Sequence, residues 1–464
     1  MWIHPSERRA SLGMHRGGWT LMAVACLAAS CGSLAAENST GSGGQPPFGA
    51  ARGQQRVLQI DEGQATVAGI RKLNGRHLTL YTDVPASPEV DELPAVFDLA
   101  VPQWSQYFGI DPDRTREWHM TAFIMRDKTR FQSVGMLPPN LPPFLHGWQE
   151  GSYLWLYDQP DAYYRRHLLL HEGTHAVMKL FFGGTGPPWY GEGLAELLAT
   201  HRWQDGQLSL CYVPKNVRES LGWGRVLLIK KPVAERRALT VEQVTAYGPD
   251  AHLEKEPYAW SWALVLLLEK HPRYQARFRG LLAHVRDLDL NSRFRQQLQD
   301  DWLLLREEWQ LMIMNIDYGY DVARAAVVRK PAQPLPADGT TVTIAADRGW
   351  QATGVFLEGG ATYQLKASGR YQVAQTTEPW WCEAGGVTIS YYHGRPLGML
   401  VGAIRDDNKP LTGLSPLCRP ESIGLEREWT VKEGGALYLK INESPGHLDD
   451  NEGKLQVQIR RREP

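Results

Sequence analysis

At Arg329-Lys330-Pro331-Ala332-Gln333-Pro334-Leu335-Pro336 the hydrophobic period of this chain changes. Before that stretch apolar residues recur at helical spacing, most clearly from Tyr258 to Ile316. Beyond it they alternate with polar ones, as in Tyr363-Gln364-Leu365-Lys366-Ala367, Val387-Thr388-Ile389-Ser390-Tyr391, Leu437-Tyr438-Leu439-Lys440-Ile441 and Leu455-Gln456-Val457-Gln458-Ile459. A strand shows successive side chains to opposite faces, whereas a helix returns to one face about every 3.6 residues, so the two stretches call for different architectures. The pattern predicts an α+β region over 57–328, a proline-rich linker over 329–337, and an all-β sandwich over 338–464. Within the first region Arg76–Tyr81 and Thr121–Met125 read as strands, with a helix over about Pro88–Phe108 between them. No internal repeat is visible.

The chemistry is concentrated in His171-Glu172-Gly173-Thr174-His175. Residues four apart lie on one helix face, so His171 and His175 can hold one metal together. Glu172, one step round, can reach a water at that metal and act as its general base. Tyr163 to Phe182 reads as one helix, made apolar by Leu168, Leu169, Leu170, Ala176, Val177 and Leu180 and stopped by Gly183-Gly184. A catalytic zinc commonly has three protein ligands and one open position. In Pro187-Pro188-Trp189-Tyr190-Gly191-Glu192-Gly193-Leu194-Ala195-Glu196-Leu197-Leu198 a second helix is expected to start near Tyr190 or Gly191. Glu192 and Glu196 share one face of it. Glu192 is the candidate third ligand and Glu196 the carboxylate that orients His171 or another ligand. The competing reading is a pair of carboxylates favoured by a helix N-terminus.

These paired motifs resemble the gluzincin zinc metallopeptidases, and within them the bacterial peptidase-MA-like proteins, over roughly residues 76–316. The resemblance implies an α+β zincin-like metallopeptidase fold, with Glu192 as third ligand and Glu196 in the place of the supporting acid. A metzincin is excluded, because Phe181 stands where its third histidine would be. Related aminopeptidases place an oxyanion-holding tyrosine just ahead of a helix like the one opening at Glu256-Pro257-Tyr258. Tyr258 is therefore the candidate, against a plain helix anchor with its ring in the core. Tyr247 and His252 are the next candidates for that role. Gluzincins also carry an edge strand shortly before the zinc helix, and Gly151–Asp158 is the stretch that could serve, unless it is an inner strand. His146, His167 and His201 read as core or surface histidines.

The alternating region resembles the PA-I-type galactophilic lectin fold through Trp350–Gly354, Gly394–Leu400, Ile441–Gly446 and Asp450–Gly453. The resemblance implies calcium ligands at Glu443, Asp450 and Asn451, with glycan as partner. Oxygen donors suit calcium. Two departures weigh against retained sugar binding: His447 stands where the lectins have an oxygen ligand, and Asp449 where they have glycine.

The first residues bear on compartment. Arg8, Arg9 and Arg16 precede the apolar run Trp19–Ala29, which is short for a transmembrane span and reads as a secretory signal over 1–36. It ends either at an imperfect lipobox before Cys31, giving a membrane-attached lipoprotein, or at Leu34-Ala35-Ala36 before Glu37. Residues 37–56 read as a flexible tether. Fifty Lys and Arg against 51 Asp and Glu leave no basic bias that would suggest nucleic acid. An oxidising compartment would allow Cys382 and Cys418 to pair. The resulting expectation is an exported zinc peptidase, found in the periplasm, at the cell surface or secreted. The alternative is a surface carbohydrate-binding protein whose metallopeptidase half is degenerate or a scaffold.

Overall fold

The structure, a computed structural model, describes residues 57–463. The expected signal segment (1–36) and tether (37–56) lie outside the described residues. The described chain is mixed α/β, with a β-rich C-terminal region.

Its first sheet has five strands: β1 (Arg71–Asn74), β2 (Leu78–Thr82), β3 (Met120–Met125), β4 (Gly147–Glu150) and β5 (Tyr153–Tyr157), in the order β1-β2-β3-β5-β4. β2, β3 and β5 run parallel, while β1 and β4 lie antiparallel at the two edges. Parallel neighbours need a crossover, and α1 (Leu93–Phe108) supplies it between β2 and β3. Leu80, Ala122, Ile124 and Leu154 join the core with α1, while Tyr81, Phe123, Met125 and Trp155 pack on the opposite face. Burial on both faces is why these strands read as nearly unbroken apolar runs.

One expectation about this sheet is corrected and one open choice is decided. Arg76–Tyr81 is not one strand: the chain turns at 75–77, where the Asp98 carboxylate accepts the Arg76 and His77 amides at 2.8 and 2.7 Å. Gly151–Asp158 is not the edge. Tyr153–Tyr157 is held between β3 and β4, and β4 is the edge strand beside the metal-motif helix.

That helix, α2 (Ala162–Val177), continues into a π turn over Met178–Phe182 and stops at Gly183, whose φ is 81°. α3 (Pro188–Ala199) packs between α2 and α4 (Lys255–Lys270). The approach is tight at both motifs. A Cβ on Gly173 would lie 2.5 Å from the Trp104 ring, and one on Gly193 would lie 2.4 Å from Val265 and 2.7 Å from the Ser261 carbonyl. The glycines inside both motifs thus let the helices close together.

In the C-terminal region one sheet runs Glu421–Ser422, Leu400–Arg405, Gly435–Ile441, Gln351–Leu357, Gln333–Pro334. The other is built on Glu452–Arg461, which pairs with Thr340–Ala345, Thr362–Ser368 and Tyr371–Gln375. Leu357, Leu365, Val373, Leu400, Leu437, Leu439 and Val457 form one core between the sheets. The first sheet's outer side is covered too. Leu311 of α5 (Trp302–Met314) packs there with Trp350, Val401, Ala403 and Tyr438. The two cysteines are free thiols: Cys382 sits in the core between the sheets, while Cys418 packs against the cluster on the other side.

At this contact Glu307 of α5 is fully buried and accepts from Arg405 at 2.8 Å, Arg329 at 2.7 Å and the Ser415 hydroxyl at 2.6 Å. Removing one member of a buried pair strands the other charge. Glu307→Ala is therefore expected to cost about 3 kcal/mol, the low end for such a loss, because Arg405 keeps Asp407 at 2.6 Å. Chemical denaturation checks this, and an unchanged midpoint would show that the contact contributes nothing.

Candidate metal centre

α2 presents His171 and His175 from successive turns, and α3 brings Glu192 against them. His171 Nε2 lies 3.1 Å from Glu192 Oε2 and 3.1 Å from His175 Nε2, and the third side of the triangle, His175 Nε2 to Glu192 Oε2, is 3.2 Å. Donors 2.0–2.1 Å from a tetrahedral zinc stand about 3.3 Å apart. The triangle therefore has the size and the N, N, O donor chemistry that zinc takes, and the residues present fit the ion. The three belong to a group of side chains able to share one metal.

The three side chains are also strongly coupled to one another. Burial disfavours a charged His171, but Glu192 and Glu196 outweigh it and hold the imidazolium up to about 10. Burial also opposes a charged Glu192, yet His175 and His171 pull its carboxyl far below the usual range.

Glu172 is buried beside this triangle, and burial lifts its carboxyl above the usual range against the pull of His171 and His175. Its neighbour is the edge strand β4. A Cβ on Gly147 would come 2.4 Å from Glu172 Oε1, so only glycine leaves the carboxylate its place. Farther along β4, the Gln149 carbonyl accepts from Lys179 Nζ of the π turn at 3.1 Å.

Behind the triangle Glu196 is buried and shared. Its Oε1 lies 3.4 Å from His171 Nδ1 and its Oε2 3.3 Å from His167 Nε2, while Arg225 donates to both oxygens at 2.9 Å. Burial opposes its charge, but Arg225 and then His167 hold its carboxyl well below the usual range. Glu196 thus stands behind the three converging side chains, where it also meets Arg225 and His167, neither of which spacing alone had pointed to. His167 was legible in principle, because it precedes His171 by four residues and so shares its face. Arg225, from a separate helix, had no signal.

Tyr258 at the start of α4 reaches the site: its ring stands 5.7 Å from the His171 ring, and the Arg225 guanidinium lies over it at 5.6 Å from the ring centre. Its hydroxyl donates to the His252 carbonyl at 3.0 Å, and burial with Glu192 and Glu172 nearby raises its pKa well above the ordinary value. Among its rivals, His252 tilts toward Trp148 of β4 at 6.2 Å. Tyr247 is half-buried, and burial, then Glu256 and Glu254, raise its pKa above the ordinary value. His201 stacks on Tyr163 at 4.4 Å, as a core histidine does. His146, just ahead of β4, lines a cavity of about 620 Å³ with Tyr164, Arg225, Lys231 and Lys255, into which none of the three converging residues opens.

The loop proposed for calcium also has a definite geometry. Glu443 and Asn451 are buried and Asp450 is half-buried, and one oxygen of each (Glu443 Oε2, Asp450 Oδ1, Asn451 Oδ1) is buried with no hydrogen-bond partner. Burial, with the Asp450 carboxylate beside it, raises the Glu443 carboxyl to about 8. Orphaned buried oxygens are rare, and hard oxygen donors are what calcium takes, so this set fits that cation. His447 is exposed.

No protein-family model matches the chain, and no curated protein matches it. Among solved structures, the chain is similar to one described as the EclA N-terminal domain, a PllA-like lectin. The identity is 19%, over 26% of this chain and 95% of that one, with a TM-score of 0.21.

Proposed function

We propose that the chain is an exported zinc-dependent peptidase of the gluzincin kind, with an appended lectin-like β-sandwich. The observation that carries the reading is the triangle of His171 Nε2, His175 Nε2 and Glu192 Oε2, with the Glu172 carboxyl buried beside it. Zinc at that triangle would supply Lewis acidity toward a scissile carbonyl and toward an attacking water. Glu172 takes the water's proton and returns it to the leaving amine. Glu196, fixed by Arg225, keeps His171 oriented. Tyr258 is the candidate donor to the developing oxyanion, and β4 the candidate rail for an extended peptide. In the sandwich, Glu443, Asp450 and Asn451 are proposed to hold calcium.

The competing reading is a carbohydrate-binding surface protein with an inactive metallopeptidase region. Three measurements on the purified chain discriminate them: zinc content, cleavage of a mixed fluorogenic peptide library, and binding to a glycan array. One zinc per chain with peptide cleavage is expected. A metal-free, inactive protein that binds galactosides only with calcium present would overturn the peptidase reading.

A further inference from the structure

Nine residues, 443–451, carry two sets of contacts in alternation. Glu443, Asp450 and Asn451 offer the three unpartnered buried oxygens. Between them lie residues that grip the α/β region. The Pro445 carbonyl accepts the Asp321 amide at 3.1 Å. Gly446 meets Tyr318 and Gly319 so closely that a Cβ on Gly446 would lie 2.4 Å from the Tyr318 carbonyl. Leu448 is buried, and Asp449 Oδ2 accepts from Lys215 Nζ at 2.7 Å. Asp449 thus has a use that sugar binding does not require: it ties the loop to the other region.

The gripped segment is itself continuous. The Gly319 amide donates to the Pro214 carbonyl at 2.7 Å, which joins 317–321 to the Lys215 stretch. The ligand side is tied in as well. Asn451 Nδ2 donates to the Ala346 carbonyl at 3.0 Å, and the next residue, Asp347, accepts from Arg324 at 2.6 Å.

We propose that the 443–451 loop is a cation-set latch: a calcium ion held by Glu443, Asp450 and Asn451 fixes the loop in the conformation that grips residues 214–215 and 317–321. The latch rests on the calcium reading above and is independent of the peptidase reading. Without a cation, the buried oxygens of Glu443, Asp450 and Asn451 are left without partners, which favours other loop conformations that cannot place Pro445, Gly446 and Asp449 together. Because linkage is reciprocal, the grip must in turn strengthen calcium binding.

The test uses the full exported chain, stripped of metal and reloaded with zinc, so that no chelator is present. Calcium chloride binding is measured by titration calorimetry and backbone hydrogen exchange by mass spectrometry. At calcium ten times its dissociation constant, exchange is expected to slow roughly tenfold in 443–451 and also in 317–321. Lys215→Ala, which leaves every ligand in place, is expected to weaken calcium binding and to shrink the slowing at 317–321. Glu443→Gln is expected to abolish both effects while keeping the side chain's shape. Calcium that binds and protects 443–451 while leaving 317–321 unchanged would overturn the latch but not the cation site. No calcium binding by the unaltered chain would overturn the cation site and the latch with it.

Discussion

Glu172→Gln is expected to keep the zinc content and unfolding midpoint of the unaltered chain while lowering peptide hydrolysis roughly 10²–10⁴-fold. The amide has the carboxylate's shape and fits the space that Gly147 leaves beside it. It cannot accept a proton, so the step assigned to Glu172 is removed and little else. Stability should not suffer, because burial already disfavours the charged carboxylate, and a neutral group there relieves that penalty. Rates on one shared peptide substrate, with zinc analysis of the same preparations, make the measurement. Hydrolysis as fast as in the unaltered chain would remove Glu172 as the base.

How far this site could be read from sequence follows from how its parts are held. His171, Glu172 and His175 come from one helix, so their mutual placement is set by helical spacing alone. Glu192 and Glu196 were legible for the same reason once α3 was recognised, although the helix starts at Pro188, slightly ahead of the expected residues. What spacing cannot show is which elements approach from elsewhere in the fold. Arg225, the edge strand β4 and the Gly147–Glu172 contact all depend on tertiary packing. β4 is also only four residues long, with no clean alternation in burial, so it carried no strand signal.

The C-terminal region shows the same limit. Alternation located the strands, as with Leu455–Ile459 inside Glu452–Arg461. Alternation also implies one wet face, yet Gly435–Ile441 and Leu400–Arg405 are buried almost throughout, because α5 covers the outer side of their sheet. Glu307 and Arg405 lie 98 residues apart in the chain, and nothing local marks them as partners. Cys382 and Cys418 illustrate the converse: an oxidising compartment would allow the two to pair, but a sheet separates them.

The second large effect concerns the metal. The His171→Ala/His175→Ala double variant is expected to fall from one zinc per chain to none, because only Glu192 remains of three ligands. Glu196→Gln is the informative companion. It leaves all three ligand atoms in place and weakens only the carboxylate that faces His171 Nδ1 and His167. Loss of such a supporting group typically lowers metal affinity about 10–100-fold, so zinc should still bind, but more weakly. Glu196→Gln also leaves Arg225 without a charged partner in a buried setting, a loss of roughly 3–5 kcal/mol in stability. The two effects separate by method: competition against a zinc chelator reads the first, and denaturation of the metal-free proteins reads the second. Stoichiometric zinc retained by the double histidine variant would place the ion somewhere other than this triangle, and the assignments of Glu172 and Tyr258 would fall with it.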